Sequence, residues 1–158
     1  MPSECLPISP AVDSIGPLAL RMRGLIVALP CLALLSVALM LSPRSSGYGT
    51  HEQLLLPPCG FLAATGWPCI TCGMTTSVSA MAHGRVALAL RAQPFGAALF
   101  LAAVVMLAAG AYQAITGRDA LRRLHLGVAW GVLGGLGLLA GWLAKLGLGV
   151  WSGQLPIH

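Results

Sequence analysis

Cys69 and Cys72 stand three residues apart in the stretch "GWPCITCGMTT", and Cys59 precedes them by ten residues. A CxxC pair brings two sulfurs within reach of one tetrahedral metal ion or of each other. Three thiolates and one imidazole make a Cys3His set that zinc accepts. His51, eight residues before Cys59, or His83, eleven after Cys72, would supply the nitrogen. As a redox pair, Cys69 would attack and Cys72 resolve, because amide groups at a helix start favour a thiolate. No βαβ pattern surrounds the pair, so a thioredoxin context is missing. A structural disulfide, with Cys59 among the partners, and simply packed thiols are further alternatives, and the spacing leaves all four open. The chain has five cysteines, an odd number. Cys31 lies in an apolar run as a small hydrophobe, and Cys5 lies in a proline-rich tail without local constraint.

Other polar residues near this cluster carry weaker signals. Thr75, Thr76, Ser77 and Ser79 are expected as helix caps or solvent-facing groups, since no base is positioned for them. The acids are Glu4, Asp13, Glu52 and Asp119, all well separated. Paired-carboxylate chemistry, as in glycosidases or two-metal phosphoryl transfer, therefore has no basis. The net charge of +5 comes from scattered basic residues without an aromatic-interleaved stripe. That pattern speaks for anionic lipid headgroups and against nucleic acid.

The elements that must hold the cysteines are those of a membrane. Hydrophobic residues make up 57% of the 158-residue chain and charged ones only 8%, too few to cover a water-soluble surface. Three long apolar runs are expected to span: 24–41, which contains Pro30, then 95–115 and 126–144. Basic residues before the first run make a signal peptide its rival, but the run is long and the cleavage context after it poor. None of the three runs holds a charge, which argues against a transporter acting alone.

Residues 57–73 are apolar yet broken by prolines and glycines. Such a backbone cannot face hydrocarbon, so it forms a loop at the interface or packed on the helices. Over 75–92 the stripe Val78, Ala82, Val86 and Ala89 predicts one interfacial amphipathic helix. Gly84 within it allows close approach of another backbone. Gly127, Gly131 and Gly135 recur every fourth residue and suit close packing within the chain or self-association. Lys145 is placed to snorkel to the interface, and Trp142 and Trp151 to join an aromatic belt.

Basic residues near the span ends divide five to four. Arg21, Arg23, Arg118, Arg122 and Arg123 stand on one side; Arg44, Arg85, Arg91 and Lys145 stand on the other. The positive-inside rule then puts the N-terminus inside and the cysteine loop outside.

From Thr50 to about Pro94 the chain resembles the bacterial membrane family known as domain of unknown function 2752. The resemblance rests on Cys59, Thr65, Gly66, Pro68, Cys69, Cys72, Gly73, Met74 and Thr75, then Gly84 and Pro94. Ile70 stands where the family usually has proline, Thr76 where arginine is common and Gln93 where asparagine is common. The resemblance implies a bacterial inner-membrane protein in which the three cysteines act together, and it assigns no reaction.

The sequence thus predicts an all-α integral membrane protein. It comprises a tail over 1–20, one membrane domain over 21–148 and a C-terminal tail over 149–158. Its expected role is structural or accessory, with the cysteine loop held by zinc or a disulfide and offered to another membrane protein. A membrane thiol–disulfide oxidoreductase using Cys69 and Cys72 is the alternative.

Overall fold

The computed structural model describes residues 16–124 and 128–151. Expectations for Cys5, for most of the N-terminal tail, for Gly127, for the Trp151 side chain and for the chain past 151 lie outside the described residues. The elements present are all helical: α1 (Pro17–Met40), a 3-10 turn (Thr50–Leu54), α2 (Gly60–Thr65), α3 (Met74–Ala82), α4 (Val86–Ala92), α5 (Pro94–Thr116), a second 3-10 turn (Leu121–Leu124) and α6 (Val128–Trp151).

Among the described residues two helices, α1 and α5, are long and apolar enough to cross a membrane. Their 24 and 23 residues extend about 35 Å, against about 30 Å of hydrocarbon. Only 17% and 22% of their apolar windows are buried inside the protein. A core helix of a soluble protein would bury most of that surface, so these faces suit lipid. Pro17 starts α1 earlier than the apolar run alone predicts, taking the first-turn position where a missing N–H costs nothing. Arg21 and Arg23 consequently lie inside the helix, not ahead of it. Pro94 starts α5 in the same way.

α1 and α5 run antiparallel and touch through small residues. A Cβ on Gly24 would come within 2.7 Å of Gly110 O and of Ala114 N, and one on Gly110 within 3.2 Å of Ala28 Cβ. The backbones meet where no side chain fits, the contact that replaces hydrophobic driving force between helices in lipid. Gln113 closes one end of the pair. Its Nε2 donates to Leu20 O at 3.0 Å, and its Oε1 accepts from Leu121 N at 3.0 Å. The carboxamide is fully buried with both ends used, as a polar group at that depth requires.

Residues 41–93 gather at the opposite end. The expected single helix over 75–92 is two helices, α3 and α4. Gly84 has φ +71; Arg85 N donates to Ala80 O at 2.8 Å and Gly84 N to Met81 O at 3.0 Å. These are the two bonds of a Schellman stop. Gly84 therefore ends α3 through its left-handed backbone. Among the described residues nothing lies within 4 Å of a Cβ built on it, so close approach is not its role.

Nor does α3 lie on the surface. Thr76, Ser77, Val78, Ser79 and Ala80 are all buried. Thr76 Oγ1 lies 2.8 Å from Thr50 Oγ1, Ser77 Oγ donates to Ala89 O and Gln93 O at 2.9 and 2.7 Å, and Ser79 Oγ donates to Leu41 O at 2.5 Å. These hydroxyls were expected as caps or solvent-facing groups. Thr76 instead pairs with another hydroxyl, and Ser77 and Ser79 donate to carbonyls at the ends of α4 and α1. α3 is thus a buried strut joining α1, α4 and the first 3-10 turn.

α6 packs through Gly137 and Gly141, whose built Cβ atoms would lie 3.1 and 3.3 Å from Phe95. The glycine stripe singled out in the sequence is turned elsewhere, since nothing lies within 4 Å at Gly131 and Gly135 among the described residues.

Candidate metal centre

The cysteine loop is fixed by its backbone carbonyls, used in alternation. Inside the loop, Cys72 N donates to Cys69 O and Met74 N to Thr71 O, each at 3.0 Å. The intervening carbonyls point outward to three separate side chains. Pro68 O accepts from Trp142 Nε1 at 3.0 Å, Ile70 O from Gln93 Nε2 at 3.3 Å and Cys72 O from Lys145 Nζ at 2.9 Å. Every carbonyl from 68 to 72 therefore has a partner, which is how an irregular backbone persists beside lipid.

Trp142 and Lys145, one turn apart on α6, act here as clamps on the loop. Lys145 Nζ also stands 5.6 Å from the centroid of the Tyr48 ring, within cation–π range. The sequence signal for this clamp is a lone cation ending an otherwise uncharged run.

Gly73 turns the loop into α3. Its φ is +85, and a Cβ there would lie 2.6 Å from Ala92 O and from Gly47 O. Both the left-handed backbone and the crowding demand glycine.

With the loop so held, the sulfurs of Cys59, Cys69 and Cys72 all lie within 4.8 Å of one another. Cys59 arrives from the residue preceding α2 and the other two from the loop before α3. The thiols are free, and none of the four described cysteines is in a disulfide. A zinc ion bound at about 2.3 Å from each sulfur holds tetrahedral thiolates about 3.8 Å apart, so the set fits a thiophilic ion with small adjustment. A cleft of about 310 Å³ opens onto the sulfurs, lined also by His51, Thr71 and Thr75.

The thiols differ in acidity. Burial opposes ionisation of Cys69, but hydrogen bonds from the Thr71 hydroxyl, Cys59, the Thr71 backbone and Cys72 outweigh it and lower the pKa to about 7. Thr71 Oγ1 stands 3.4 Å from Cys69 Sγ. Burial, followed by the neighbouring Cys59 and Cys69 sulfurs, pushes Cys72 up to about 12 against one backbone hydrogen bond.

The two candidate histidines are placed differently. His51 lines both clefts that flank the cysteines, but its ring nitrogens lie outside the group of three sulfurs that meet within 4.8 Å. Its Nε2 lies 3.2 Å from Pro57 O. A carbonyl only accepts, so Nε2 is the donor in this contact and Nδ1 is the ring nitrogen left for another partner. His83 stands at the far end of α3, roughly 13 Å of helix from the loop, with Nδ1 2.9 Å from Ser79 O.

Residues 59–107 match the model of a family described as a protein of unknown function, DUF2752. The match covers under a third of the chain, and that segment is similar to the family. The DUF2752 segment contains the three cysteines, the clamped loop and the start of α5. Within it, Gln93 donates its carboxamide N–H to Ile70 O. Thr76 is buried against Thr50. No curated protein and no solved structure matches the chain.

Proposed function

We propose that Cys59, Cys69 and Cys72 bind one zinc ion, with His51 as fourth ligand, in a small multi-pass protein of the bacterial inner membrane. The convergence of three sulfurs from two separate segments carries this reading. Bound zinc would supply a cross-link and charge neutralisation, holding α2 to the start of α3 as in closed structural zinc sites. His51 is preferred to His83 because it shares the cleft and because Pro57 O orients its ring, the usual outer support of a metal-bound histidine. The role is structural or accessory: the held loop presents a surface to another membrane protein. α6 serves as a third span, and the charge asymmetry favours an extracytoplasmic cysteine loop.

Cobalt(II) substitution tests the donor set. Thiolate ligation gives an intense ultraviolet charge-transfer band and visible tetrahedral bands, and each Cys→Ser variant should weaken the former. Cobalt that binds without a thiolate band would refute the proposed site.

One observation favours a second reading. The split between Cys69 near 7 and Cys72 near 12 suits an attacking and a resolving thiol. Two electrons would pass from the dithiol to a substrate disulfide, leaving a Cys69–Cys72 disulfide and two substrate thiols. Disulfide exchange with a model peptide, abolished by Cys69→Ser, would support it. The presence of Cys59 in the same cluster favours the metal.

A further inference from the structure

Residues 54–66, "LLLPPCGFLAATG", contain no charged side chain, and little in the protein covers them. Leu54, Leu55, Leu56 and Phe61 are exposed, Leu55 at 96%. α2 buries none of its six residues. Leu55 is also the one non-glycine residue with positive φ among the described residues, at +60. A leucine seldom adopts that backbone, and here the conformation accompanies nearly complete exposure of its side chain.

Part of the backbone of this hook is paired within the chain. Leu55 N donates to Glu52 O at 3.0 Å. Pro57 and Pro58 have no N–H to desolvate, and Pro57 O is taken by His51. In α2, Ala63 N donates to Cys59 O and Gly66 N to Leu62 O, each at 2.9 Å. Unpaired amide groups bar irregular chain from the hydrocarbon itself; the N–H groups in the first turn of α2 carry no side-chain cap, so this stretch belongs at the interface, where headgroups and water can meet them.

Its position is set by Gln53. That side chain accepts from Ser42 N at 3.0 Å and donates to Ser42 O at 2.7 Å. The leucines therefore begin next to the point where α1 ends, continuous with the exposed Leu39 and Met40. That end of a spanning helix lies at the boundary between hydrocarbon and headgroups.

We propose that residues 54–64 dip into the interfacial layer of the bilayer, as a lipid-inserted hook that seats the cysteine loop flat against the membrane. The occupant of this apolar surface is lipid acyl chain, as for amphipathic segments that lie about 5–10 Å deep in the interface. The inference does not depend on a bound metal.

The test uses the full chain in vesicles of phosphatidylcholine and phosphatidylglycerol doped with a phosphatidylcholine bearing a diazirine in its acyl chain. After illumination, carbene adducts are mapped by mass spectrometry. The lipid-facing residues Leu101 and Val105 of α5 are the positive control and the loop residues Ser45 and Ser46 the negative one. Labelling of Leu54–Leu56 and Phe61 at the level of α5 is the expected result. Labelling of α5 with residues 54–64 at the level of Ser45 and Ser46 would overturn the proposal: the leucines would then face water, a second copy or another protein.

Discussion

Lys145 Nζ donates to the carbonyl oxygen of Cys72 at 2.9 Å, joining α6 to the cysteine loop across 73 residues of sequence. Trp142 makes the parallel contact to Pro68 O, so one helical turn of α6 holds both ends of the CxxC loop. The loop has no regular structure between Gly66 and Met74 and depends on these outside donors to fix the directions of its sulfurs.

Replacing Lys145 with Met keeps the aliphatic stem and removes the donor. The Cys72 carbonyl is then left without its partner, a cost of about 1–3 kcal/mol for a buried group. The expected outcome is faster alkylation of Cys72 in detergent-solubilised protein, with a smaller increase for Trp142→Phe. Unchanged labelling in both variants would show that the loop holds itself.

At Gly73, alanine should be poorly tolerated. The left-handed backbone alone costs about 1–2 kcal/mol for an L-residue, and the added Cβ would overlap Ala92 O and Gly47 O at 2.6 Å. A lowered thermal unfolding midpoint and loss of loop protection are expected. Gly84→Ala, with open space around it, should lower the midpoint less, since only its φ opposes the change.

Thiol reactivity should follow the unequal acidities. In metal-free protein, the rate at which iodoacetamide modifies Cys69 should rise through about pH 7 and level off above it, as the thiol ionises. Below that pH the proton returns and the rate falls. Cys72, held protonated up to about 12, should stay unmodified over the same window. Mass mapping of modified peptides against pH checks both.

Two of the expected spans and the cysteine cluster were legible in the sequence because each declares itself locally. An uncharged run of twenty-one residues from 95 to 115 lies within α5, and the CxxC spacing with Cys59 nearby foretold the sulfur cluster. What could not be read depends on distant partners. Ser77 and Ser79 look like surface hydroxyls until Gln93 O and Leu41 O are known to face them. Lys145 and Trp142 look like interface anchors until the loop carbonyls are seen beneath them. Gly84 was read as a point of close approach, and its role in ending α3 emerged only from the Schellman bonds to Ala80 and Met81. For the glycines of α6, periodicity alone did not reveal the packing surface: Gly137 and Gly141 meet Phe95, while Gly131 and Gly135 do not.

The most direct test of the metal proposal is zinc content per chain, with the free-thiol count, on protein purified in detergent without chelator or added reductant. The account predicts about one zinc ion per chain by the single-ion geometry of such sites, lost on Cys59→Ser, Cys69→Ser or Cys72→Ser and weakened by His51→Ala. Zinc retained in the Cys59→Ser and Cys72→Ser variants, or no bound metal together with two thiols missing before reduction, would contradict it.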